Sequence, residues 1–209
     1  MKLALFILAV SCFGINASVG QKIIEKQFFT EDITTLSIED NAIFKITVYT
    51  SEEKEIKFSA HISGEHSENV IIEENFSEGK LSLKTGFAPF FVLNNDKLAA
   101  HKLMAIEVKL IVPETLSLEI KSKLASVAID GTIKNLAVSL QRGNCFATNF
   151  SGNAHLKTTD GTITVYAADA VGGKAISTRG KIENNLPPNG KFFIEAESIN
   201  GNIRMLQTK

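Results

Sequence analysis

Asp130-Gly131-Thr132-Ile133 is a four-residue unit that returns through the C-terminal half of this chain. It returns as Asp160-Gly161-Thr162-Ile163, Arg179-Gly180-Lys181-Ile182 and Asn200-Gly201-Asn202-Ile203, with a weaker copy at Ser151-Gly152-Asn153-Ala154. Each copy sets a turn-forming residue before a glycine, and every copy but the weak one places Ile two residues after it. The steps Gly131 to Gly152, Gly161 to Gly180 and Gly180 to Gly201 are 21, 19 and 21 residues. Periods of that size mark stacked supersecondary units, none of which buries its apolar face alone. The expected role of Gly131, Gly152, Gly161, Gly180 and Gly201 is to turn the backbone at corners, often at positive φ, where glycine has no Cβ penalty. Rungs stacked about 4.8 Å apart would then set Ile133, Ile163, Ile182 and Ile203 in one interior row.

Outward from these corners the chain reads as strand. Ile43–Tyr49, Ile56–Ile62, Leu81–Lys84 and Ile106–Val112 alternate apolar and polar residues, the pattern of a sheet with one buried face. From Leu116 the runs shorten, and turn residues separate them every 8 to 12 positions. The fold expected is all-β: a single-stranded β-solenoid or β-helix-like body with rungs of about 20 residues. Residues 21–209 read as one continuous domain, because no linker composition divides them. Within it, 21–112 is a longer-stranded half and 113–209 the regular Gly-repeat half. One insertion breaks the pattern. Asn94–Met104 carries helix formers behind an Asn/Asp cap and predicts a short helix. The stretch before it, including Phe87, Phe90, Phe91 and Leu93, is very apolar for a connection. It reads as a plug over the β-core or as an exposed interaction surface.

Lys2 followed by Leu3–Ile15 and small residues at Ala17, Ser18 and Gly20 reads as a secretory signal peptide over residues 1–20, too short to span a bilayer. Ala9-Val10-Ser11-Cys12 is an imperfect lipobox; ordinary cleavage is preferred over a lipid anchor at Cys12 because apolar residues continue past the cysteine. The exported chain would sit in the periplasm or at the cell surface, in the outer membrane envelope. It would keep one cysteine, Cys145, which forms no intrachain disulfide and reads as a buried thiol. The near-neutral charge of −1, with no Lys/Arg cluster, argues against nucleic acid as a partner.

Catalytic, cofactor and metal motifs are not apparent. His61, His66, His101 and His155 are scattered, and no Cys/His pair has ligand spacing. Asp130, Asp160, Asp169, Glu183, Glu195 and Glu197 read as solvated corner or outer-face acids, with nothing in the sequence fixing two of them together. Glu52–Glu55 and Glu73-Glu74 read as solvated turns. The chain has no Trp and only two Tyr, and its 14 Phe suit a core better than a wet glycan platform. The expectation is therefore a non-enzymatic module of unknown partner, a cell-envelope protein or a glycan. Structural stacking into a homo-oligomer and, behind it, a glycan-active enzyme are the alternatives.

Val112-Pro113-Glu114-Thr115-Leu116-Ser117-Leu118, the Asp-Gly-Thr-Ile units, Leu186-Pro187-Pro188-Asn189-Gly190-Lys191-Phe192 and Ser198–Ile203 together resemble the bacterial adhesin-like families, among them the head-GIN domain and a broader adhesin-like domain. The resemblance is best from Val112 to Leu206. It implies an exported, mostly β-solenoid domain with no mapped catalytic residues.

Overall fold

The computed structural model describes residues 21–91 and 104–208. The signal peptide expected over 1–20 and the helix expected over 94–104, Met104 excepted, lie outside the described residues. What is described is all-β, with one 3-10 turn at Ser67–Asn69. The strands are β1 (Gln21–Phe29), β2 (Thr35–Glu39), β3 (Ile43–Ser51), β4 (Glu55–Ser63), β5 (Val70–Ser77), β6 (Lys80–Phe87), β7 (Ala105–Pro113) and β8 (Ser117–Ser122). They continue as β9 (Ser126–Arg142), β10 (Cys145–Asp160), β11 (Ile163–Ala167), β12 (Val171–Ser177), β13 (Ile182–Asn184), β14 (Phe192–Ser198) and β15 (Ile203–Gln207).

Two parallel ladders organise them. The first runs β7, β3, the start of β9, the start of β10, β11, β15, β13. The second runs β6, β2, β8, the end of β9, the end of β10, β14, β12. β9 and β10 are long because each belongs to both ladders. Alternation along each strand sends every second side chain inward. Register then aligns those side chains into rows: Val108, Ile46, Val127, Cys145, Ile163 and Ile203 in the first ladder, Leu81, Leu36, Leu118, Leu136, Ala154 and Ile194 in the second. All twelve are buried and belong to one core.

The rungs do not follow chain order at the ends, as a simple solenoid would. The rung β2–β3 lies between β6–β7 and β8–β9, and the last rung, β14–β15, slots between β10–β11 and β12–β13. The N-terminal end also departs from a solenoid by closing with antiparallel strands: β4 and β1 extend the first ladder and β5 the second. Lys22 Nζ donates to the carbonyls of Glu68 and Val70, and Lys26 pairs with Glu74, tying the two closures together.

The corner glycines are of two kinds. Gly131 and Gly152 lie inside β9 and β10, where the chain passes between ladders, at φ 117° and 140°. There the expectation of a positive-φ turn holds. Gly161, Gly180 and Gly201 sit at the opposite corner without positive φ, and the reason for glycine is different. A Cβ on Gly161 would lie 1.9 Å from the Gly143 carbonyl oxygen, one on Gly201 1.7 Å from that of Gly161, and one on Gly180 1.9 Å from that of Gly201. Close stacking of backbone on backbone excludes any side chain. Because the glycines divide this way, the expected row of four Ile divides too. Ile163, Ile203 and Ile182 align, while Ile133 is buried elsewhere and Val127 and Cys145 continue the row. Ile182, on the terminal strand, is 46% exposed.

Candidate functional site

β6 ends in Phe87, and the chain then turns through Ala88–Phe91, with the Ala88 N–H donating to the Asn69 carbonyl and that of Phe91 to the Ala88 carbonyl. This fastens the apolar segment to the 3-10 turn. Phe87 packs on the core, the Phe91 ring lies 5.3 Å from it, and the His66 ring meets Phe91 at 5.1 Å, tilted by 55°. Those three rings form a lid of the plug kind. Phe90 does the opposite. Its ring is fully exposed at 101%, and its backbone holds φ 70°, a region that L-residues other than Asn and Asp seldom enter. Leu93, expected to share this surface, lies outside the described residues. Within the described part of the segment, Phe87 packs on the core and Phe91 on Phe87 and His66, while Phe90 projects into solvent.

Cys145 sits in the buried row between Val127 and Ile163, and burial pushes its thiol up to about 12. A thiol so placed is protonated at neutral pH and is a poor nucleophile. The described histidines are set apart: His61 faces Glu107 across β4 and β7, His66 belongs to the aromatic lid, and His155 lies on the outer face of β10.

Three expectations are corrected on the outer faces. Phe residues are not confined to the core: Phe29, Phe44, Phe76, Phe146 and Phe193 are substantially exposed, and Phe146 meets Tyr166 edge-on at 6.0 Å. Acids do come together. Parallel pairing of β10 with β14 sets His155 beside Glu195, Nδ1 to Oε2 3.6 Å, with Glu197 in reach on the same face. Glu195 and Glu197 share a face by alternation along β14; the sequence hides only the place of His155, about 40 residues away and joined to them by register alone. Glu73 and Glu74 lie in β5 rather than a turn, and Glu74 holds Lys26.

The fold has a known counterpart. The chain superposes with a TM-score of 0.64 on a crystal structure described as a "putative cell adhesion protein" from Clostridium sporogenes, at 19% identity, covering 90% of this chain and all of that one. A "putative adhesin" from Bacteroides fragilis aligns over 90% of this chain and 99% of its own at 12% identity and a TM-score of 0.43. One from Parabacteroides merdae covers 88% and 81% at 12% identity and 0.37. No family model and no curated protein matches the sequence. The first likeness establishes a shared fold.

Proposed function

We propose that this protein is an exported, non-enzymatic, adhesin-like module of the cell envelope that holds a protein or glycan partner through the lobe around Phe90. Phe90 carries this reading. A fully exposed aromatic ring on a left-handed backbone costs the folded chain about 1–3 kcal/mol and gains it no packing. Strain of that kind clusters where an exposed group serves contact, and the neighbouring rings of Phe87, Phe91 and His66 are joined to one another. The counterpart described as a cell adhesion protein supports an adhesin-like role, and the leader-like N-terminus supports export to the periplasm or cell surface, with acylation of Cys12 as the alternative anchor. The inner rungs act in this reading as a short β-solenoid that serves as a stiff stalk. Among the described residues no helix is long and apolar enough to cross a membrane.

The test is a glycan array and an envelope-protein pull-down with wild type and Phe90→Ser. Because Phe90 packs on nothing, its substitution should leave the melting temperature in place and abolish capture. Capture by Phe90→Ser equal to wild type would overturn the assignment of the surface.

A further inference from the structure

Parallel register sets His155 of β10 opposite Glu195 of β14, and Lys157 opposite Glu197 two residues on. Strand alternation sends all four to the outer face of the second ladder. One donor atom each from His155, Glu195 and Glu197 can be chosen so that all three lie within 4.8 Å of one another. Ligand atoms around a zinc ion sit about 2.0–2.2 Å from it, so small side-chain rotations bring these three onto one ion. The flanking strands leave room on one side: β9 places Ala137 beside His155. On the other side β12 places Lys174 beside Glu195 and Ile176 beside Glu197.

We propose that His155, Glu195 and Glu197 form a zinc site on this face. An imidazole with two carboxylates suits Zn²⁺, whereas Ca²⁺ and Mg²⁺ take oxygen donors. Three protein ligands leave coordination open. His155 and Glu195 also border a shallow groove of about 490 Å³ lined by Glu119, Asn135, Asn153 and Phe193. Water, or the hydroxyl or carboxylate oxygens of a molecule lying in that groove, would complete the ion's shell. Lys157 is the internal competitor. Its Nζ is 3.3 Å from Glu197 Oε2, and the ion must displace it. The site is independent of the Phe90 lobe and stands or falls without it.

The experiment is calorimetric titration of the purified protein with zinc chloride, alongside His155→Gln, Glu195→Gln, Lys157→Ala and, as a control, His61→Gln. One zinc ion per chain should bind to wild type and to His61→Gln. Loss of a ligand should weaken binding about tenfold or more in His155→Gln and Glu195→Gln. Lys157→Ala should bind several-fold tighter, because Glu197 is released from its ion pair. Zinc should raise the melting temperature of wild type and not of His155→Gln, and calcium chloride should raise neither. All substituted side chains are on the surface, so metal-free melting temperatures near wild type verify folding. Zinc affinity unchanged in His155→Gln, no saturable zinc binding to wild type, or weaker binding by Lys157→Ala would each overturn the site.

Discussion

Gly161 shows how a single residue is fixed by a neighbour far away in sequence. Its missing side chain is the space occupied by the Gly143 carbonyl, and its own carbonyl fills the corresponding space at Gly201. Gly161→Ala forces backbone apart in a stacked corner and should destabilise the protein by about 2–3 kcal/mol. Asp160→Ala removes only the exposed hydrogen bond from Asn200 Nδ2 and should cost about 1 kcal/mol or less. Equal melting temperatures for the two variants would contradict the stacking argument. Cys145 makes a second prediction, in pH. Its thiol titrates at 9.0 as a reference value and near 12 in the fold. Above pH 9 the unfolded chain releases a proton that the folded chain keeps, so this contribution to stability is complete below pH 9 and is lost as pH rises toward 12. Urea unfolding of wild type between pH 8 and 10 should therefore lose about 1.4 kcal/mol relative to Cys145→Ala. Parallel curves for the two proteins would show that the thiol is not shielded.

At the scale of the element, the corner is the unit that repeats, and serine or threonine is its second component. Ser177 Oγ accepts the Gly180 N–H at 2.9 Å and donates to the Gly201 carbonyl at 2.9 Å. Ser198 Oγ accepts the Gly201 N–H at 2.8 Å and donates to the Gly161 carbonyl. Thr158 Oγ1 likewise donates to the Gly143 carbonyl, at 3.4 Å. The two serine hydroxyls therefore close their own turns and clamp them to the adjoining rung, and Thr158 supplies the clamp alone. Ser198→Ala leaves a partly buried amide without its acceptor, and should lower stability by about 1 kcal/mol in chemical denaturation. A loss within error of zero would mean that the corner is held by backbone bonds alone. The spacing lies in the sequence, Thr158, Ser177 and Ser198 each standing three residues before their glycine, but it identifies a clamp only once the rungs are stacked. The alternation that marks strands was legible in β3, β4 and β7, where it reflects one buried face. The glycine positions were legible as well, but not the reason for Gly161, Gly180 and Gly201, since the clashing carbonyl belongs to another rung. Strand order was hidden for the same kind of reason. Nothing local in β12–β15 records that β15 pairs with β11 ahead of β13, because inter-rung register is set by packing between segments. The His155–Glu195–Glu197 group inherits that invisibility, and the projection of Phe90 depends on a backbone conformation that no apolar pattern encodes.

For the whole molecule, the decisive question is how a stack of parallel rungs ends without growing into a fibre. A ladder's terminal strand offers unpaired backbone groups to any similar edge. At the C-terminal end, Leu186–Gly190 folds across β12: the Gly173 N–H donates to the Pro187 carbonyl, and a Cβ on Gly172 would meet Asn189. The other terminal strand there, β13, is only three residues long. At the N-terminal end β1 is a nine-residue edge, long enough to template pairing. Its guard is charge. Lys22 and Lys26 lie on its half-buried face and are committed to β5 and to the turn before it. A second chain pairing with β1 would have to accommodate two lysines at positions where a continuing ladder needs apolar side chains, as Ile24 and Phe28 are beside them. These guards at both ends fit a module that acts as a single unit better than one that assembles by stacking. The protein should therefore be monomeric in sedimentation analysis. Replacing both lysines with Val should convert β1 into a continuous apolar edge and yield concentration-dependent dimers or higher species. A Lys22→Val/Lys26→Val variant that stays monomeric while folded would show that β1 is protected by something other than its charges. A wild type that is already oligomeric would move the stacking role ahead of the single-module reading.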